Sequence, residues 1–451
     1  MPLLCITYGL QYSDKTSLSS GVVFGLRADA HLVGQQYAWL STLFYLGYML
    51  AEFPMSYALQ NFPLGRFVSI TCIGGGGLVM CLGACNNFTQ LAVVRFLLGA
   101  FESAITPGFL MLVASWYKRS EMTSRSLCWM VMNTVFSSFF GLVIYALAKH
   151  AQDSGGLAAW RVINLFLGAC TVLHGFVLFF LLGTPDEVSW LSEEQAARTR
   201  IASNGNGDGG QRAWNWNQVQ ECFVDPQIWL FFIIATIPSG SLATFGPLVY
   251  MSFGFTNLET ILYALPNSAM ALVWFLLVAL AIQKFPATRF PLMAFSVLPP
   301  FIGLLSIGLL PDSTAKWVKW GLYNLTSTFT VPTFLAWTLI PLNIAGRTKK
   351  TVISSSTFIS YCVGQMIGTQ DKTQDNIRAR YVIRATDAPR YIKGLTVISA
   401  VFGVQIVVTI AWKAYYNLEN VRRDKAQIVA GERRVMAETR SYSSRTRHIG
   451  C

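Results

Sequence analysis

The sequence predicts an all-α membrane protein of twelve transmembrane helices in two six-helix bundles, and three observations carry that expectation. The first is composition: of 451 residues, 53% are hydrophobic and only 12% charged, against roughly 25% charged in an ordinary soluble domain. A globule of this length must present a wettable exterior, so the bilayer is the expected solvent. The second is a succession of apolar runs, each close to the span of about 20 residues that crosses a membrane. The third is a repeat. Gln60-Asn61-Phe62-Pro63-Leu64-Gly65-Arg66-Phe67 and Gln283-Lys284-Phe285-Pro286-Ala287-Thr288-Arg289-Phe290 share Gln-x-Phe-Pro-x-x-Arg-Phe, each between two long apolar runs. A bundle written twice in parallel is an architecture of secondary transporters, so solute movement is the leading expectation.

Cutting the chain at charged and turn-rich breaks gives the spans in order. In the first half they are Pro2 to Leu26, Gln36 to Leu59, Phe67 to Cys85, Leu91 to Tyr117, Ser126 to Ala148 and Ala158 to Leu182. The second half gives Pro226 to Phe253, Leu258 to Ile282, Phe290 to Leu310, Trp317 to Ile344, Val352 to Gln370 and Tyr391 to Tyr416. The first span lacks the basic leader and small-residue cleavage pattern of a signal peptide. Thr106-Pro107-Gly108 should kink the fourth span, and Ser239-Gly240-Ser241 after Pro238 should break the seventh.

Orientation follows from the bases. Alternate loops carry Arg66, then Lys118-Arg119 with Arg125, then Lys284 and Arg289, then Arg347 with Lys349-Lys350. The positive-inside rule puts these loops and both termini in the cytosol. Lys372, Arg378, Arg380, Arg384 and Arg390 fall on the outer side and run against it. The expected domains are residues 1–183 and 226–417 as the two bundles, 184–225 as a cytosolic linker with Asn204 to Gly210 at its centre, and 418–451 as a basic tail suited to anionic lipid headgroups.

Other classes are disfavoured. The net charge of +12 sits in short loops and the tail, without the basic, aromatic-interleaved face that binds nucleic acid. The nine cysteines form no paired zinc pattern, and the four histidines, His31, His150, His174 and His448, are scattered. No metal, cofactor or catalytic constellation is expected. Gly74 to Gly77 lack the strand and Lys-Ser/Thr of a phosphate loop and read as helix-packing residues. Trp274 and Trp337 read as packing or lipid-facing residues. Asn87-Phe88-Thr89 fits the glycosylation pattern in a loop too short to use it.

The candidate site comes from intramembrane charge, which costs about 2.5 to 3.5 kcal/mol per residue at the bilayer centre. Asp14 and Lys15 lie in the first span, Arg95 and Glu102 in the fourth, and Arg161 near the start of the sixth. Arg95 and Glu102, seven residues apart, share a helix face; Gln11, Asp14, Lys15 and Leu18 form a stripe. Lys15 and Arg95 are the expected grip on a substrate carboxylate, Arg through paired hydrogen bonds. Asp14 and Glu102 are the expected proton carriers. Mutual neutralisation for folding explains the same four residues. Asn133, Asn267, Asn324 and Gln365 are further candidates for substrate hydrogen bonds, helix packing being the alternative. Arg66, Arg289, Pro107 and Gly108 are the expected gating positions. The partners implied are a small anionic substrate, protons and the bilayer.

With these motifs in hand the chain resembles the major facilitator superfamily, and within it the fungal allantoate permease family of anion:cation symporters. The resemblance rests on Leu10-x-Tyr12-x-Asp14-Lys15-Thr16, Phe62-Pro63-Leu64-Gly65-Arg66, Arg95-Phe96-x-x-Gly99-x-x-Glu102 through Pro107-Gly108, Trp116-Tyr117, Trp160-Arg161, Pro185-Asp186 before Leu191-Ser192-Glu193-Glu194, and Asp387-Ala388-Pro389-Arg390-Tyr391. It implies proton-driven uptake of small organic anions such as allantoate, ureidosuccinate, vitamin carboxylates or short peptides across the plasma membrane. It also supports Asp14, Lys15, Arg95 and Glu102 as the polar core. A nutrient sensor that kept the fold and lost transport is the alternative. Ala58 and Phe62 stand where the superfamily's loop carries Gly and Asp, which removes the usual gating salt bridge. Gly368-Thr369-Gln370 replaces Gly-Pro-Gln, and Asp371 to Val382 reads as an insertion.

Overall fold

The computed structural model describes residues 1–154, 156–203, 216–236, 240–285, 288–311, 313–344, 347–369 and 392–446, and no strand occurs among them. In the first half α1 is Pro2–Val23, followed by a single turn, α2 (Leu26–Asp29), then α3 (Gln36–Asn61) and α4 (Leu64–Ala84). The fourth span is two helices, α5 (Phe88–Glu102) and α6 (Ile105–Trp116), and the fifth is also two, α7 (Arg119–Met130) and α8 (Met132–Ser154). The sixth is α9 (Ala159–Leu181). Pro107 cannot donate to the carbonyl of Ser103 and its ring crowds that group. The interruption at Ser103 and Ala104 therefore falls one turn before the proline expected to cause it.

Two polar helices follow, α10 (Glu193–Ser203) and α11 (Trp216–Val224); the Asn204 to Gly210 stretch between them lies outside the described residues. The seventh span is α12 (Pro226–Thr236) and α13 (Gly240–Ser252), with Pro238 and Ser239 outside the described residues. Then come α14 (Asn257–Lys284), α15 (Arg289–Leu309), α16 (Lys316–Asn324), a 3-10 turn (Leu325–Thr328), α17 (Val331–Asn343), α18 (Arg347–Thr369) and α19 (Ile392–Thr446). The twelfth span thus continues as one helix into the basic C-terminal segment. The Lys372 to Arg390 loop and the Asp371 to Val382 insertion lie outside the described residues.

Local chemistry sets several boundaries. Thr256 and Glu259 form a reciprocal capping box that starts α14. The Asn87 side chain accepts the Gln90 N–H at 3.0 Å and starts α5, so this asparagine is a helix cap. Phe88–Trp116, Ser124–Ala151, Leu395–Arg422, α4, α9, α14 and α15 are each long and apolar enough to cross a membrane. The inward faces of α1, α3 and α18 carry polar side chains, among them Gln11, Asp14, Glu52, Ser355 and Gln365, all buried.

The packing repeats after six spans. In the first half α4 lies on α9, α3 on α5, and α1 on α8; in the second α15 lies on α19, α14 on the 3-10 turn, and α12 on α18. The halves meet along α3 with α18, α8 with α14, and α1 with α13. Close approach within a half depends on glycine. A Cβ on Gly47 would collide with the Phe96 carbonyl, and one on Gly99 with the Phe44 carbonyl, so α3 and α5 touch backbone to backbone. Gly76 and Gly168 serve α4 and α9 the same way, whereas Gly77 faces open space. Small residues are what allow membrane helices to gain this dispersion contact.

These contacts predict opposite outcomes for two similar changes. Gly99→Leu should cost at least about 1–3 kcal/mol through forced separation of α3 and α5. Gly77→Ala should be neutral. Thermal melting of the two variants in detergent checks this, and equal melting temperatures would contradict the packing described.

Candidate functional site

Lys15 is the charge that reaches the centre. It lies on α1 one turn after Gln11, and both side chains turn toward Glu102 at the end of α5. Lys15 Nζ stands 3.7 Å from Glu102 Oε2. Gln11 Nε2 donates to the Glu102 carbonyl at 3.3 Å and to Oε2 at 3.4 Å. Glu102 is 3% exposed, and its Oε1 has no hydrogen-bond partner among the described residues. The Lys15 ammonium also stands over the rings of Phe44 (5.1 Å), Tyr48 (5.7 Å) and Tyr45 (5.9 Å) of α3. Its charge is thereby held by a carboxylate and by three aromatic faces.

Asp14 and Lys15 differ by 100° around α1, and the structure separates them. Asp14 points to α9, where Oδ2 accepts the Thr171 hydroxyl at 2.7 Å and Oδ1 has no hydrogen-bond partner among the described residues. Arg95 is 2% exposed and turns its Nη groups toward α1, 3.5 Å from the Lys15 carbonyl and 3.5 Å from Ser17 Oγ. These are long contacts, and its Nε has no hydrogen-bond partner among the described residues. The four charges therefore form a cluster linking α1 to α5 and α9, with Lys15 facing the space between the halves.

That space is a central cavity of about 140 Å³. Lys15, Gln11, Tyr8, Tyr12 and Asn133 line it from the first half; Asn267, Trp337, Tyr361 and Gln365 line it from the second. A chamber of about 50 Å³ beside it is bounded by Lys15, Arg95, Ser41 and Thr244. Another of about 220 Å³ runs on past Tyr12, Ser137, Asn267 and Tyr323. Asn133 Oδ1 and Trp337 Nε1 are buried on the central wall without hydrogen-bond partners. Buried polar atoms are normally satisfied, so these two are exceptions among the described residues. Trp337, which the sequence reads as a packing or lipid-facing residue, packs against Phe334, Phe358 and Tyr361 and also lines the cavity. Trp274 does pack, its Nε1 donating to Ser296 Oγ at 2.9 Å.

Other candidates fall elsewhere. Asn324 Nδ2 donates to the Trp320 carbonyl at 3.0 Å, and the Asn324 carbonyl accepts from Asn267 Nδ2 at 3.3 Å, so Asn324 braces the break in the tenth span. Arg161 Nη1 and Nη2 bind the Gly83 carbonyl and Asn86 Oδ1, at the ends of α4 and α9 and away from the cavity. Pro107 and Gly108 are buried at the α5–α6 break. Arg289 starts α15. Arg66 is exposed at the start of α4. The α4 N-terminus is instead held by Glu187 of the segment after α9, whose oxygens accept the N–H groups of Leu64 at 2.7 Å and Gly65 at 2.9 Å. A carboxylate at a helix N-terminus is favoured by the unpaired N–H groups and the dipole. In the second half Lys349 pairs with Glu221 at 2.8 Å and Asp225 at 2.9 Å, tying α11 to α18.

Sequence reasoning passed over Glu187 and Glu52. Glu52, on α3, is 1% exposed, and its spacing from Tyr45, Tyr48 and Ser56 marks its face. Among the described residues, no three His, Cys, Asp or Glu side chains converge as metal ligands would. The arrangement can bind a polar solute and exchange its charge against the Lys15–Glu102 pair. Lys15→Met leaves Glu102 buried without its cation and should cost about 3 kcal/mol. Glu102→Gln added to it should recover most of that loss, and a double-mutant cycle on melting in detergent measures the coupling.

Comparison with known proteins follows the same lines. The model of the Major Facilitator Superfamily matches residues 4–369. An uncharacterized transporter of Schizosaccharomyces pombe (strain 972 / ATCC 24843) is 30% identical over 430 residues, 94% of this chain and 79% of that protein. The allantoate permease of Saccharomyces cerevisiae (strain ATCC 204508 / S288c) is 29% identical over 455 residues, covering 97% of this chain and 80% of the permease. Among solved structures, a proton:xylose symporter of the same superfamily superposes with a TM-score of 0.68 at 11% identity, covering 92% of this chain and 94% of that one. An inward-facing, occupied bacterial homolog of the human lysosomal transporter Spinster gives 0.59 at 16% identity, covering 92% and 95%. With twelve helical spans packed as a repeat about one polar cavity, the chain belongs to the Major Facilitator Superfamily and is a membrane transporter, not an enzyme.

Proposed function

We propose that the chain is a proton-coupled symporter of a small organic anion. The observation that carries this reading is Lys15, a cation on the wall of the central cavity with 22% of its side chain exposed, whose only ion-pair partner among the described residues is Glu102. An incoming carboxylate competes with Glu102 for the ammonium, and Glu102 released from Lys15 takes a proton. Solute and proton would then bind together because each frees the other's partner. Asn133, Asn267 and Gln365 supply hydrogen bonds to the solute; Arg95 and Asn324 position α1 and the tenth span; Asp14 holds a second proton against Thr171.

Residues 1–183 and 226–417 rock against each other about the cavity, joined by residues 184–225, with the 418–451 tail on the membrane surface. Arg66, Arg289 and the Pro107-Gly108 break serve as the moving points. The basic loops support cytosolic termini by the positive-inside rule, and the likeness to an allantoate permease supports an anion as the solute, with the plasma membrane as the expected location. The second reading, a sensor that binds without transport, stays open because the same cavity serves both.

Uptake of labelled carboxylates, allantoate among them, into proteoliposomes should be saturable and should vanish when a protonophore collapses an inward proton gradient. Lys15→Met should lower initial uptake at least about tenfold, the factor given by a charge-assisted hydrogen bond of about 1.5–3 kcal/mol. Uptake insensitive to the gradient would remove proton coupling. Binding without accumulation would leave the sensor.

A further inference from the structure

We infer that Glu52 is a proton-binding site in the seam between the two halves, and that its proton latches α3 to α18. The residue is 1% exposed, and neither Oε1 nor Oε2 has a hydrogen-bond partner among the described residues. Tyr45, Tyr48, Glu52 and Ser56 follow one another at intervals of three and four, so they share the face of α3 that lies on α18. Contacts across that face bracket the carboxyl. The Tyr45 and Tyr361 rings meet edge on at 6.1 Å, and Ser56 Oγ lies 3.2 Å from Ser355 Oγ.

The groups facing Glu52 are few. Tyr48 stands one turn before it on its own helix, and Cys362 faces it from α18. Ser56 is the hydroxyl that acts on it, and that hydroxyl already meets Ser355. On the other elements packed near this face, Glu102 of α5 is paired with Lys15 of α1, Arg95 of α5 turns to α1, Arg66 of α4 is exposed, and α6 carries no titratable side chain; the Lys15 ammonium stands over the rings of Tyr45 and Tyr48 and is held by Glu102. No ammonium or guanidinium pairs with Glu52 among the described residues. An ionised carboxylate enclosed without a paired cation, with only the Ser56 hydroxyl beside it, is among the costliest groups to bury, whereas the neutral acid is tolerated and can itself donate.

The closed seam therefore holds Glu52 as the protonated acid. Separating α3 from α18 admits water, the proton leaves to that water, and the carboxylate so formed keeps the seam apart until it is protonated again. Pro54, two residues on, interrupts the α3 hydrogen-bond ladder beside this point and lets the end of the helix move. Glu52 does not line the central cavity, but Tyr48 does, so the latch and the solute space share one side chain. The inference rests on the alternating-access reading for the opening of the seam and not on any particular solute.

The test reads the latch without solute. Full-length protein carrying Ser56→Cys and Ser355→Cys is oxidised over a range of pH, and disulfide yield is compared with that of each single-cysteine variant. Yield should fall several-fold from mildly acidic to mildly alkaline pH, and adding Glu52→Gln, the isostere of the neutral acid, should hold it at the acidic level throughout. Infrared difference spectra of the protein without added cysteines should show a protonated carboxyl band that vanishes in Glu52→Gln. A yield independent of pH, a pH response that survives Glu52→Gln, or an unchanged infrared band would each overturn the proposal. So would failure of Glu52→Gln to fold where Glu52→Asp folds, since that would mean the charge is required. Proteoliposome uptake is scored separately, so a chain that fails to transport still answers the question about Glu52.

Discussion

The structure depends on one constraint: every charge that α1, α3 and α5 carry into the membrane must be answered there, because no water is present to answer it. Lys15 and Glu102 answer each other at 3.7 Å, Gln11 takes up a second lone pair of Glu102, and Arg95 turns its guanidinium to the carbonyl of Lys15. The result fixes α1 against α5 in register and rotation, and α1 in turn meets α8, α9 and α13. The polar cluster is therefore both the brace of the first half and the wall of the cavity. Neutralisation for folding and the proposed grip on a ligand are two uses of the same groups, since a pair 3.7 Å apart on a cavity wall can be reopened.

Much of this was legible in the sequence because membrane physics writes in long, simple patterns. Apolar runs of the right length placed twelve helices, and the Gln-x-Phe-Pro-x-x-Arg-Phe repeat announced a packing scheme that recurs in α4 on α9 and α15 on α19. Of Gly74 to Gly77, which the sequence reads as packing residues, Gly74 and Gly76 do pack closely, against Phe101 and α9, whereas Gly77 faces open space. The positions of single side chains were less legible. Asp14 and Lys15 are neighbours in sequence, and one step of helical rotation sends one to Thr171 and the other to the cavity. Asn324 reads in sequence as either a ligand contact or a packing residue, and in the structure its side chain donates back to the Trp320 carbonyl one turn earlier in α16.

Glu52 and Glu187 show two different limits. Glu52 has no charged neighbour in sequence, so nothing local signals a pair; what identifies it is the face it shares with Tyr45, Tyr48 and Ser56, and the helix opposite that face lies some three hundred residues away. Glu187 follows the Pro185-Asp186 motif, yet its work is done on the N-terminus of α4, where two backbone N–H groups take its oxygens. The departure at Ala58 and Phe62 gains a physical sense from this. With no loop carboxylate available beside Arg66, the end of α4 is tied to the segment leaving α9 by a backbone-to-carboxylate grip.

The two long seams between the halves are related by the repeat but not by chemistry. Where α8 meets α14, Gly141 packs on Leu265 and Ile261, and the neutral side chains Ser137, Asn267 and Ser268 line the chamber beside them, so none of these groups takes up or loses a proton. Where α3 meets α18, a hydroxyl pair, a thiol and a lone carboxyl lie between aromatic rings. Apolar contact between helices in a membrane is short-ranged dispersion that slides with little change in energy. A buried acid has two states of very different cost. On the proposed latch the two seams would serve differently, α8 sliding on α14 while α3 parts from α18 only when Glu52 gives up its proton.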